Sequence, residues 1–176
     1  PGANLTAANL NGADLTGTDL EQANLSYAKL TGTTLTGVNL TGAEFSLVKS
    51  GGIIGTPAHL PTNWKLIDGY LIGPQSNLNH AVLTGRDLTG ANLTGAYLIN
   101  AQLNGAHLPW ATLINANLDG ADLTGAILEA VKSGGISGTP HALPADWKLI
   151  DGYLIGPQSN LNGATLTGRD LTGANL

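Results

Sequence analysis

Side chains able to do acid–base, nucleophilic or metal chemistry are sparse in this sequence, and their spacing brings few of them together. The four histidines are His59, His80, His107 and His141. A metal site needs several ligands converging at fixed positions. Between two near-identical stretches of the chain, however, Ala58-His59 becomes His141-Ala142 and His80 becomes Gly163. A ligand that moves or vanishes between copies is a poor ligand, so these histidines read as surface residues. Cysteine is absent, which removes thiolate ligands, thiol nucleophiles and disulfides. There is no Gly-rich phosphate loop, nucleophile elbow or paired-carboxylate cluster. The expectation is a protein that is not an enzyme and holds neither cofactor nor metal.

The elements that would position any such group are announced by leucine. From Leu78 to Leu128 a leucine returns at every fifth residue: Leu83, Leu88, Leu93, Leu98, Leu103, Leu108, Leu113, Leu118 and Leu123 lie between. Two residues before them stands a small residue, mostly alanine, such as Ala91, Ala96 or Ala116, and between the two comes a polar residue, often Asn or Asp. A period of five fits neither a helix nor an alternating strand. It is the signature of a solenoid, in which each unit buries its apolar face only by stacking on its neighbours. Alanine and leucine, two apart in extended backbone, point to one side, while the Asn or Asp and the following Thr point to the other. Glycine after threonine permits the corner. The nine leucines from Leu83 to Leu123 are the expected structural core.

The Ala-(Asn/Asp)-Leu-X-X grammar covers residues 1–45, 76–128 and 159–176 and resembles the pentapeptide-repeat family. The resemblance implies an all-β chain, a right-handed four-sided parallel β-helix with about twenty residues per coil. Neighbouring coils would then stack at roughly 4.8 Å. Residues 1–176 read as a single domain of this kind, interrupted by insertions at about 50–75 and 133–158.

The two insertions are copies. Residues 48–93 and 131–176 are identical at 39 of 46 positions, a large repeat laid over the small one. Each contains Asp-Gly between two β-prone runs: Asp68-Gly69 between Trp64-Lys65-Leu66-Ile67 and Tyr70-Leu71-Ile72, and Asp151-Gly152 likewise. That is a strong hairpin signal. Arg86 and Arg169 stand two before a column leucine, where a small inward residue belongs. A guanidinium there needs a carboxylate to offset desolvation. The reading favoured is a bridge from Arg86 to Asp68 and from Arg169 to Asp151, tying each insertion to the coil. The alternative, an anion site, lacks a glycine nest or a second basic residue nearby in sequence.

One outward region departs from the Asn, Thr and Gly filler. Tyr97, Ile99, His107, Pro109, Trp110 and Ile114 fall on successive units. Exposed apolar residues in one neighbourhood can mark a partner site, and two readings stand side by side: a partner patch, or cover by the second insertion folding back.

The net charge is −5, and the seven basic residues look scattered, so nucleic-acid binding is not expected. No apolar run is long enough for a membrane-spanning helix. Methionine is absent even at position 1, and both ends lie inside the repeat, which suggests a processed product or a fragment and predicts end-to-end self-association. The compartment is left open. The function expected is a structural or protein-interaction scaffold, with another protein or a fused domain as partner. Two alternatives stand beside it. The family resemblance brings DNA mimicry against a type II topoisomerase, for which Asp14, Asp19, Glu21, Glu44, Asp119, Asp122 and Glu129 are too sparse. Ranks of threonine such as Thr84, Thr89 and Thr94 bring an ice-binding surface, for which they look too dispersed.

Overall fold

The computed structural model describes residues 1–176, and its backbone follows the five-residue grammar unit by unit. The residue before each column leucine pairs in parallel with the residue 20 positions on: Asn4 with Asn24, Asn9 with Lys29, Asp14 with Thr34, Asp19 with Asn39. The hydrogen bonds come in a fixed pattern. Asn24 donates its N–H to the Ala3 carbonyl at 2.9 Å, and the next residue, Leu25, donates to the Glu44 carbonyl at 2.8 Å. The chain is therefore a β-helix, with four ladders of bridges and no helix.

Each corner is a turn closed by the alanine N–H on the preceding leucine carbonyl, as in Ala28 on Leu25 at 3.0 Å. Its third residue has positive φ, which glycine adopts without steric cost. Gly12, Gly17 and Gly32 sit there with φ of 65° to 69°. The Asn or Asp of the grammar closes the same corner: Asn24 Oδ1 accepts the Ser26 N–H at 2.9 Å, and Asp14 Oδ1 accepts the Thr16 N–H at 2.9 Å. These outward side chains are turn caps. Alanine and leucine point in, and all nine leucines from Leu83 to Leu123 are buried.

The core is in two parts, divided by the first hairpin. Strands β1 (Lys65–Ile67) and β2 (Tyr70–Ile72) pair antiparallel, and β3 (Lys148–Ile150) with β4 (Tyr153–Ile155) repeats them. Asp68 and Gly69, with φ of 49° and 76°, make the turn as their sequence predicts. Leu66 faces Leu71 across the pair, and both pack on the core that runs from Leu20 to Ile53. Ile67, Tyr70 and Ile72 pack on the other core, which starts at Leu78. The hairpin is thus a two-faced layer between two stacks. Leu154 and Leu149 of the second hairpin cover the far end of the central core in the same manner.

The ladders show where the inserted residues lie. Ile54 still bridges Thr34 and His59 still bridges Asn39, so the coil runs through Gly51-Gly52 and the chain leaves it only after His59. The off-ladder stretch is narrower than the 50–75 span suggested by the loss of the leucine column. Likewise Ser137 and Ala142 remain on their ladders, inside the 133–158 span. Lys49 bridges Asn77, 28 residues on rather than 20, so each insertion adds eight residues, and Lys132 bridges Asn160 with the same excess. No other ladder crosses either hairpin.

Candidate functional site

The hairpin junctions hold most of the polar side chains that depart from the repeat grammar. Ser50 occupies a column position in place of leucine, and its buried Oγ accepts the Leu71 N–H at 2.8 Å. Ser133 does the same for Leu154 at 2.9 Å. Below the first hairpin, the Ile53 N–H donates to the Gly69 carbonyl at 3.1 Å. Above it, the Val82 N–H, which has no coil beneath, donates to the Tyr70 hydroxyl at 3.2 Å, and Lys65 Nζ donates to the Thr89 carbonyl at 2.7 Å. Tyr153 and Lys148 reproduce both contacts on Thr165 and Thr172. Side chains of the hairpin thus replace ladder partners that the coil above has lost.

Arg86 and Asp68 form an ion pair at 2.8 Å, and Arg169 and Asp151 repeat it at 2.8 Å. The guanidiniums do not enter the core. Their side chains are 49% exposed, because the hairpin, and not another coil, lies beneath that position and leaves an open path outward. Each ion pair joins a hairpin turn to the coil.

The outward residues Tyr97, Ile99, His107, Pro109, Trp110 and Ile114 are not brought together as one patch. Tyr97 stands on the ladder Lys29–Lys49–Asn77–Tyr97–Asn117, whereas His107 stands on Asp87–His107–Ile127, two ladders away. Trp110, 66% exposed, projects alone from the corner after His107 and is not covered by the second hairpin. Ile99 and Ile114 are half-buried at other corners. Five-residue steps carry neighbours in sequence around the coil, and only 20-residue steps keep them on one side.

Histidines and carboxylates follow the same rule. All four histidines are exposed, and no three His, Asp or Glu side chains converge closely enough to hold a metal ion. Asp14, Asp87, Asp122 and Asp170 are held below the usual carboxylate range, chiefly by the hydroxyl and amide of the threonine two residues on. That is turn capping, without the burial or like-charge crowding that prepares a general acid. No ladder carries two acids in succession. Threonines stack in direct succession only at Thr16, Thr36 and Thr56.

One side of the coil gathers residues that the sequence left apart. Lys29 and Lys49 are direct ladder neighbours, both exposed, and neither is in an ion pair. With Tyr27, Leu47, Asn77, Asn79 and Tyr97 they line an open groove of about 350 Å³. A second groove of about 330 Å³ continues past Leu47 and Tyr97 to Gln75 and Asn115. Tyr27 and Leu47 hold the corner position where glycine is the rule, with φ of 62° and 56°. The signal was in the sequence, since both lysines precede a column position and lie 20 residues apart. It becomes legible only once the coil length is known.

The sequence profile for pentapeptide repeats matches eight copies, over residues 2–46, 76–113 and 91–129. No curated protein sequence matches the chain. Among solved structures, it is similar to HetL, a pentapeptide repeat protein involved in heterocyst differentiation regulation in Nostoc. That similarity is 30% identity over 80% of this chain, with a TM-score of 0.28. The chain spans only 56% of HetL's length. Rfr23 from Cyanothece, a pentapeptide repeat protein, is 27% identical over 81% of this chain and 88% of its own, with a TM-score of 0.30. QnrB1, a plasmid-mediated fluoroquinolone resistance protein, is 15% identical over 100% of this chain and 86% of its own, with a TM-score of 0.37.

Proposed function

The chain belongs to the pentapeptide-repeat family, and from that membership we propose that it is a non-catalytic interaction scaffold, a stiff rod presenting side chains on its flanks to another protein. The four ladders are read as the four sides of a right-handed coil, and residues 1–176 as a single domain with the two hairpins as internal layers. The observation that carries the reading is the hydrogen-bonded ladder at Lys49–Asn77–Tyr97–Asn117, unbroken across the first hairpin. It fixes outward side chains at the strand spacing of roughly 4.8 Å over many coils. Such a surface recognises a partner by pattern, while its polar groups are engaged in closing turns. Acids dispersed over three ladders, none in direct succession, do not form the phosphate-like row that topoisomerase mimicry requires, so a supercoiling assay with gyrase should show no inhibition.

Photocrosslinking side chains placed at Asn77, Gln102, His107 and Thr112, one per ladder, test the scaffold in cells of the natural source. Adducts to one defined protein, concentrated on one ladder, are expected. Turnover of a small molecule by the purified chain, abolished by changing one polar side chain, would refute the reading.

A further inference from the structure

The side of the coil bearing Lys29 and Lys49 breaks a rule of stability. Like charges on directly paired residues of neighbouring strands repel, yet Lys29 and Lys49 are such a pair. No carboxylate lies on their ladder, whose members are Asn9, Lys29, Lys49, Asn77, Tyr97, Asn117 and Ser137. Beside them, Tyr27 and Leu47 adopt positive φ, as do Gln22, Trp110 and Ala130 at other corners, which costs a residue with a side chain about 1–2 kcal/mol relative to glycine. Burial does not offset that cost at Tyr27, which is 58% exposed. Repulsion that the fold does not need, beside an exposed tyrosine, is the mark of a surface kept for a ligand.

We propose that Tyr27, Lys29, Leu47, Lys49 and Tyr97 form a docking surface for an extended, acidic segment of a partner protein. The proposal deepens the scaffold reading and rests on it. Charge selects the partner. Two ammoniums outside any ion pair stand on a ladder without carboxylates in a chain whose net charge is −5, and a short acidic segment meets them without pressing against the other sides. A polyphosphate would carry its charge well beyond two lysines into that negative surround. Geometry selects extended backbone. Alternate side chains of an extended strand recur on one face about 6.6 Å apart, within the sweep of two flexible lysine stems rooted on adjacent coils. The intervening side chains would then lie against the rings of Tyr27 and Tyr97 and against Leu47, which wall the groove.

The test uses the whole chain and a fluorescein-labelled dodecapeptide of alternating aspartate and alanine, with its asparagine counterpart as control, followed by anisotropy. The aspartate peptide should bind and weaken with salt, and the asparagine peptide should not bind. Changing Lys29→Gln and Lys49→Gln together should weaken binding at least about tenfold, while Lys132→Gln, on another ladder, should change it less than about twofold. Tyr27→Gly separates recognition from folding, since it should raise the melting temperature by relieving strain and still weaken the peptide. Equal binding of both peptides, no binding at millimolar concentration, unchanged affinity in the double variant, or tighter binding of an oligonucleotide than of the peptide would each overturn the proposal. Crosslinks to a partner from another ladder would leave the scaffold standing while this surface fell.

Discussion

Replacing Ser50 with alanine should loosen the first hairpin more than removing the ion pair that visibly clamps it. Ser50 Oγ accepts the Leu71 N–H at 2.8 Å, and both residues are buried. Without that oxygen the amide has no partner and no water, a penalty of about 1–3 kcal/mol. Arg86 and Asp68 are also 2.8 Å apart, but about half of each side chain faces solvent, so the pair is screened and contributes about 0–1 kcal/mol. A repeat protein does not always unfold in one step, so the measurement should be local. The Ile53 N–H donates to the Gly69 carbonyl at the hairpin turn, and its exchange with deuterium reports detachment of the hairpin. Ser50→Ala should speed that exchange roughly 5- to 150-fold, the rate equivalent of the penalty, and Arg86→Ala by about fivefold or less. Proteolysis near Trp64 should follow the same order, with the β-rich circular dichroism unchanged. If Arg86→Ala loosens Ile53 more than Ser50→Ala does, the assignment of the buried serine as the main anchor is wrong.

Leu118→Ala, at a side chain with no exposure, should cost about 2–5 kcal/mol in denaturant titration. Thr94→Ala, at a corner, should cost about 0.5 kcal/mol or less, and equal losses would overturn the inward and outward assignment. Gly73→Ala would drive a methyl group into the Trp64 ring and should cost about 1–3 kcal/mol with a change in indole fluorescence. Gly85→Ala meets no atom within 4 Å but has φ of 66°, so only backbone strain of about 1 kcal/mol is expected. Asp87 is held below its ordinary value by Thr89, so its folded pKa lies below its unfolded one. Its contribution is complete above the unfolded pKa and disappears as pH falls through the folded one. Asp87→Asn should therefore flatten the fall of the unfolding midpoint below about pH 4, and an identical pH profile would contradict the turn-capping account.

The period of five and the Asp-Gly turns were legible because each rests on neighbours in sequence. Leu83 to Leu123 point inward because a short extended unit must alternate, and β1 and β2 form because Asp68 and Gly69 accept positive φ. What was not legible depends on the length of the coil. Tyr97 and His107 look adjacent at ten residues apart and prove to be two ladders apart, whereas Lys29 and Lys49 look remote and are direct neighbours. Arg86 holds an inward place in the grammar, but that place presumes a coil beneath it, and the hairpin stands there instead, where Asp68 meets the guanidinium. Gly51-Gly52 looks like the end of the repeat, yet Gly52 takes the corner φ of 63°. The ladder therefore continues through Ile54, where Gly55 stands in the leucine place, to His59, where Leu60 resumes it.

The same arithmetic gives the 83-residue repeat a geometrical meaning. Corresponding residues of the two hairpins are 83 apart, and eight of those are the insertion that stretches the Lys49–Asn77 step from 20 to 28. The remaining 75 residues are fifteen pentapeptides, one short of four full coils. The second hairpin therefore cannot interrupt the coil at the same side as the first. At the first junction the unbroken ladder is Lys49–Asn77, and at the second it is Lys132–Asn160, which belongs to the adjacent ladder through Asn92 and Thr112. Near-identical hairpins, each held by a buried serine, a lysine, a tyrosine and an Arg–Asp clamp, thus step around the rod by one side per repeat. The offset of a single pentapeptide sets the two continuous ladders on adjacent sides, Lys49–Asn77 at the first hairpin and Lys132–Asn160 at the second.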